Sequence, residues 1–475
     1  MPSFTVPLFI DGQEVRPRQT FDVVSPATGN VVHCCSAASV AHADAAVHAA
    51  ARAFATWRKS SPVERRNVLL AAAHLLHARR DHLVQCIMDE TGASAHWSHF
   101  NINFALELLK DTAGTIQTLS GSFPALTDPQ TSAIVAREPY GVVLAIAPWN
   151  APIILGTRAI VSPLAAGNTV VLKASELAPR TMWALVSVLQ DAGLPKGVLN
   201  MIVHDPQSAA AVTSAVIANP NVKKINFTGS TAVGRIIGTL AGQHLKPLVL
   251  ELGGKAAALV CEDANLQLAA EQCAIGALLN SGQICMSTER ILVSKSIKQQ
   301  FVDLLKTCVE HKFCSDPDSP VLINALAAQK TQALVADALG KGASLVLGNP
   351  DSWQPGSTKM KPFIVDEVTP DMDLYTLESF GPCVSIIPVD SEEHAVQIAN
   401  ESEYGLSAAV FTEDLARGMR LAREIETGAV HINSMTVHDE TALPHGGVKS
   451  SGFGRFNTAR GLDEWVKTKT ITFQN

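Results

Sequence analysis

The chain has 475 residues, 47% hydrophobic and 17% charged, enough to bury more than one sizeable core. A formal net charge of −7 is the wrong sign for a general binder of phosphate backbones, and no run of about 20 apolar residues is present to cross a bilayer, so neither nucleic acid nor a membrane is expected as a partner. Nine cysteines stand without C-x-x-C spacing and fifteen histidines include no H-E-x-x-H, so reduced thiols and no metal centre are expected. Met1–Asp11 has neither a basic n-region nor a long apolar core, which predicts no secretory leader and a cytoplasmic location.

Asp44–Trp57 is Ala-rich and predicts a helix, with Asp44 a candidate cap. Ser61-Pro62-Val63-Glu64 reads as a helix start with proline in the first turn, running to about Arg80. His74 and His77 read as ordinary residues of that helix. Asp81–Thr91 continues helically until Gly92, and 97–119 predicts another helix. The pattern changes at Gly141. Strand runs at Val142–Ala147, Thr169–Lys173, Val198–Val203, Val222–Phe227 and Pro247–Leu252 alternate with helical stretches at 179–192, 206–218 and 231–242. That alternation implies a doubly wound parallel sheet, which binds ligands at the carboxyl ends of its strands.

A second series predicts a second α/β domain. It runs from Ala256–Cys261 through helix 264–280, strand 289–294 and helix 296–310 to strands at 384–389, 408–411 and 429–432. Residues 311–328 and 350–362 read as surface loops. Ala125–Pro139 reads as a hairpin, and Val466–Phe473 alternates like a strand. These two segments mark either an oligomer contact or edge strands of the same sheet.

Three residues invite chemistry. Cys285 follows a predicted helix and a Gly-Gln turn, where main-chain N–H groups favour a thiolate; the other eight cysteines read as small buried hydrophobes. Glu251 ends an apolar strand before Gly253 and Gly254, so a raised pKa and a role as base are expected. Asn150 ends the first strand, where an amide can donate to an oxyanion or simply make a turn.

Taken together, Pro148-Trp149-Asn150, Lys173-Ala-Ser-Glu176, Phe227-Thr-Gly-Ser-Thr231, Glu251-Leu-Gly-Gly254, Gly282-Gln-Ile-Cys285, Glu378-Ser-Phe-Gly-Pro382 and Gly446-Gly-Val-Lys449 resemble the motifs of the aldehyde dehydrogenase superfamily, in the family's order and over nearly the whole chain. The resemblance implies a Rossmann-like α/β cofactor domain at 1–120 and 140–251 with 445–464 returning to it, a catalytic α/β domain at 252–444, and oligomerisation strands at 121–139 and 465–475. It implies that Cys285 attacks the aldehyde carbon, that Asn150 and the Cys285 N–H form the oxyanion hole, and that Glu251 activates water to release the acid. Relatives that pass the acyl group to coenzyme A generally lack this glutamate. Gly229 and Ser230 match the pyrophosphate site, Lys173 and Glu176 the adenosine ribose, and Glu378 and Phe380 the nicotinamide side, with Trp149 beside the cofactor or the substrate tunnel. NAD is implied, with NADP possible, and a homodimer or homotetramer is expected.

A narrower similarity is to the salicylaldehyde and vanillin dehydrogenase branch. It rests on Trp97 and its helix, Asn150–Arg158, Gly282–Arg290 and Asn433–Glu440. It implies a hydroxybenzaldehyde-type substrate against Trp97, Ile284 and Met286, with Arg158 either binding a ring hydroxyl or bridging helices. An aliphatic aldehyde or semialdehyde with the same chemistry is the alternative. His445 stands where the family usually carries Phe, and no catalytic role is assigned to it.

Overall fold

The computed structural model describes residues 4–314 and 320–475. The five parallel strands expected after Gly141 form the middle of an eight-stranded sheet, in the order Leu248–Glu251, Val222–Thr228, Val142–Ile146, Thr169–Lys173, Leu199–Ile202. Val142–Ile146 is buried along its whole length, as a strand covered by helices on both faces must be. Gly452–Phe453 adds antiparallel beside Leu248–Glu251, and Leu8–Ile10 with Gln13–Val15 close the other edge. The register sets Ile146 opposite both Lys173 and Phe227, and Thr228 opposite Glu251, so these strands end level. Val142–Ile146 lies between neighbours that come later in the chain on both sides, so a crevice opens beyond its carboxyl end.

A seven-stranded sheet carries the second half, in the order Ser344–Leu347, Phe363–Asp366, Cys383–Val389, Thr288–Ser294, Ala256–Val260, Ser407–Phe411, Ala429–Ile432. Its strands are parallel except for Ser344–Leu347. Each sheet has its own apolar core. A smaller cluster straddles the two halves, joining Trp97, Ile154 and Leu155 to Ile284, Met286 and Val437. The apolar stretch after Asn150 is the helix Pro152–Ala165, buried at every residue. No helix among the described residues is long and apolar enough to cross a membrane.

Several expectations are corrected. The first helix is Val40–Trp57, capped by Ser39 and not by Asp44, because the Ser39 hydroxyl reaches the His42 N–H. Ala125–Pro139 is no hairpin: Thr131–Pro139 pairs antiparallel with Val466–Gln474 in a two-stranded ribbon apart from both main sheets. Local alternation cannot reveal a partner more than 300 residues away. Helix Ala325–Gly340 begins inside the stretch read as loop, and residues 315–319 of that stretch lie outside the described residues. The short strands Thr5–Val6, Thr20–Val24 and Val31–Ser36 were not anticipated. Cys34 and Cys314 are part-exposed, not buried.

Candidate active site

Cys285 lies on the connection from helix Leu266–Leu278 to strand Thr288–Ser294. Asn280, Ser281 and Gly282 all take positive φ there. At Gly282 a Cβ would fall 2.1 Å from the Gly381 carbonyl oxygen, so only glycine fits. The Gln283 side chain pins the turn, donating to the Val321 carbonyl at 3.1 Å and accepting from the Ile323 N–H at 2.9 Å. The turn delivers the thiol to the carboxyl end of the first sheet, where Cys285 Sγ–H donates to Glu251 Oε1 at 3.3 Å. The expected thiolate-favouring surroundings are not what the resting geometry provides. Burial first, and then the Glu251 charge, push the thiol well above its ordinary value.

Glu251 is also buried, yet its carboxyl is not raised as expected. Burial pushes it up, but His445 and Arg158 outweigh burial and hold it well below the usual carboxylate range. His445 Nε2 lies 3.2 Å from Oε1; Arg158 Nη1 lies 3.8 Å and Thr228 Oγ1 3.4 Å from Oε2. Arg158 binds Asp439 through Nη2 and stacks over the Phe104 and Phe456 rings. The helix-to-helix bridge weighed for Arg158 is thus replaced by a buried pair with a loop carboxylate. Its Nε has no partner.

Asn150 is held from both sides. Its amide donates to the Gln283 carbonyl at 3.0 Å, and its own carbonyl accepts from Trp97 Nε1 at 3.0 Å and Asn280 Nδ2 at 3.1 Å. Asn150, Glu251 and Cys285 border one cleft, together with Trp97, Arg158, Ile284 and Met286. All seven were proposed from sequence. The same cleft takes in Phe100, Phe104, Val437 and Asp439, which fell within the Trp97 helix and the Asn433–Glu440 stretch but were not singled out. Phe100 was legible, one helical turn from Trp97 and stacked on it at 5.3 Å. Asp439 lay in the Asn433–Glu440 stretch, but its pairing with Arg158, 281 residues away, left no local signal.

Of the residues assigned to a cofactor, Trp149, Lys173, Glu176, Gly229 and Ser230 lie at or just beyond carboxyl ends of the first sheet and Glu378 and Phe380 on the segment before Cys383–Val389 of the second; none borders that cleft. Lys173 Nζ approaches Glu176 at 3.5 Å; burial lowers the lysine and Glu176 partly offsets it. Neither side chain is the fully solvated pair weighed against their motif. Ser230 caps helix Thr231–Gln243, and the Gly229 N–H donates to the Glu251 carbonyl at 3.1 Å. Trp149 and Phe380 meet edge to face at 5.9 Å. Glu378 accepts the Gly254 N–H at 2.9 Å, and burial pushes its carboxyl up to about 7. Glu289 was missed: it accepts from the Ser379 N–H and hydroxyl, each at 2.8 Å, while Lys255 pairs with it at 2.7 Å. This buried pair carries the Glu378–Phe380 segment.

The family model for the aldehyde dehydrogenase family matches residues 13–471. A vanillin dehydrogenase of Pseudomonas sp. (strain HR199 / DSM 7063) is 47% identical, covering 99% of this chain and 98% of its own. A salicylaldehyde dehydrogenase of Pseudomonas putida is 37% identical, over 96% and 95%. The crystal structure of a salicylaldehyde dehydrogenase from Pseudomonas putida G7 complexed with salicylaldehyde superposes with a TM-score of 0.96 at 36% identity, over 99% of this chain and 98% of that one.

Proposed function

Because the chain belongs to the aldehyde dehydrogenase family, we propose that it oxidises an aromatic aldehyde of the hydroxybenzaldehyde type to the carboxylic acid, with water as the acyl acceptor. The observation that carries this reading is one cleft in which the Cys285 thiol, the Glu251 carboxylate and the Asn150 amide meet aromatic and aliphatic walls and one buried guanidinium. Cys285 gives up its proton to solvent water as its sulfur bonds to the aldehyde carbon, and the Asn150 amide with the Cys285 N–H holds the resulting oxyanion. Once that carbon has lost its hydride and become a thioester, Glu251 takes a proton from the attacking water and passes it to the leaving sulfur, releasing the acid and the thiol. The flat walls fit a benzene ring, and Arg158 faces the cleft as donor to a ring hydroxyl.

The donor set outside the cleft suits a nicotinamide dinucleotide. Gly229 and Ser230 at the start of helix Thr231–Gln243 would hold the pyrophosphate, Lys173 and Glu176 the adenosine ribose, and Glu378, Phe380 and Trp149 the nicotinamide side. When bound, the nicotinamide supplies the hydride acceptor. The Glu176 carboxylate disfavours a 2′-phosphate, so NAD is preferred over NADP. In this reading residues 1–120, 140–251 and 445–464 hold the cofactor and 252–444 carry the thiol. The ribbon of Thr131–Pro139 and Val466–Gln474, with Ile134, Ile471 and Phe473 exposed, is the contact between copies in a homodimer or homotetramer. Free cysteines throughout suit the reducing cytoplasm.

The test is reduction of NAD or NADP by purified protein with a panel of benzaldehydes, aliphatic aldehydes and semialdehydes. Preferred turnover of hydroxybenzaldehydes with NAD is expected. Turnover of aliphatic aldehydes alone removes the aromatic assignment, and acyl transfer that requires coenzyme A removes water as acceptor.

A further inference from the structure

His445 reaches the site from a rigid backbone. Its N–H donates to the Phe456 carbonyl at 3.1 Å, and the Phe456 N–H returns the bond at 2.8 Å. The buried ring directs Nε2 at Glu251 Oε1, 3.2 Å away, the same oxygen that accepts the Cys285 Sγ–H. An ionised carboxylate only accepts, so Nε2 carries the hydrogen. Nδ1 faces Asp439 Oδ1 at 3.8 Å. The other charged groups around this pair are Arg158, on the far oxygen of Glu251, and His431, which lies within electrostatic reach of His445 and Asp439.

The geometry points to His445 as a positioning residue that, by its donor on the oxygen nearest Cys285, keeps Glu251 ionised; this rests on the reading of Glu251 as the base. A carboxyl enclosed by apolar side chains tends to hold its proton, and a protonated Glu251 cannot take one from water. The imidazole N–H offsets that tendency on the oxygen nearest the thiol. A phenylalanine ring fills similar space without a donor, so it leaves burial opposed by Arg158, Thr228 and the Cys285 thiol.

His445→Phe and His445→Gln in the full-length protein test this. The first readout is the infrared band of a protonated carboxyl in protein free of aldehyde, assigned to Glu251 by its loss when Glu251→Gln is added to His445→Phe. At about pH 5 the band is expected to be absent from the wild type and present in His445→Phe, a shift in protonation of about three pH units. The second is the pH profile of thioester hydrolysis. Its acid limb is expected to move to higher pH by a similar amount in His445→Phe and by less in His445→Gln, which keeps an N–H. Above the limb the His445→Phe rate returns to the wild-type level, since a carboxylate of higher proton affinity is no weaker a base. Superimposed profiles with no new band overturn the inference, and so does an equal loss at every pH. If the wild type turns over no aldehyde, the proposed reaction fails, while the infrared band still decides the role of His445.

Discussion

Two recessed carboxylates flank Cys285, and they titrate in opposite directions. Burial acts first on both and raises both. At Glu251 it is overcome, because a histidine, an arginine and a thiol converge on the two oxygens. At Glu378 the Gly254 N–H is the main opposing contact, the Glu289 charge adds to burial, and the carboxyl stays near 7. Depth in the protein therefore does not set the charge of an acid; the donors that reach it do. One site thus holds a carboxylate that is ionised well into acid and another that gains its proton near neutrality.

The comparison can be broken most severely at the thiol. Cys285→Ser is expected to cut aldehyde oxidation on the order of 10³-fold or more with an unchanged circular dichroism spectrum. Retained turnover would transfer the nucleophile's role elsewhere. Glu251→Gln keeps the size of the side chain and removes the proposed base. A stopped-flow burst of reduced cofactor followed by a steady rate ~10²–10⁴-fold slower is expected; loss of the burst itself would place Glu251 in thiol activation instead.

Removing a donor from the Glu251 side should cost stability as well as specificity. Arg158→Ala leaves the Asp439 carboxylate buried without its cation, and chemical denaturation should show a loss of about 3–5 kcal/mol. The same variant should raise KM for hydroxybenzaldehydes more than for benzaldehyde, and equal changes would confine Arg158 to structure.

The smallest effect belongs to Glu378. Its folded pKa of about 7 lies above the ordinary 4.5, so the folded protein binds its proton more tightly. Stability from this group is complete below the unfolded value and is lost as pH rises through about 7. Glu378→Gln should therefore match the wild type at acid pH and gain about 1 kcal/mol above neutrality, read from denaturation midpoints on both sides of pH 7. A gain at acid pH alone would reverse the assigned direction.

Much of this molecule is local and was readable before any coordinates. The Thr169–Lys173 strand, the capped start of Pro62–Ala78 and the stop of Arg80–Thr91 at Gly92 all follow from neighbouring residues, through burial on both faces, a capping box and a left-handed glycine. Cys285, Glu251 and Asn150 were legible because each sits where a strand or a turn ends and because their motifs occur together in order. Ile284 and Met286 joined the same cleft as apolar neighbours of Cys285, and Trp97 was reached through the similarity to the salicylaldehyde and vanillin dehydrogenase branch.

What only the tertiary structure decided is the electrostatics and the long-range pairing. Thr131–Pro139 finds its partner in Val466–Gln474, and strand alternation carries no address for a partner so distant. The sequence placed Glu251 at the end of an apolar strand and predicted a raised acid; folding brought His445 and Arg158 to it from elements 194 and 93 residues away and reversed the direction. A pKa depends on charges and donors within a few ångströms, and those distances exist only once the chain has closed on itself.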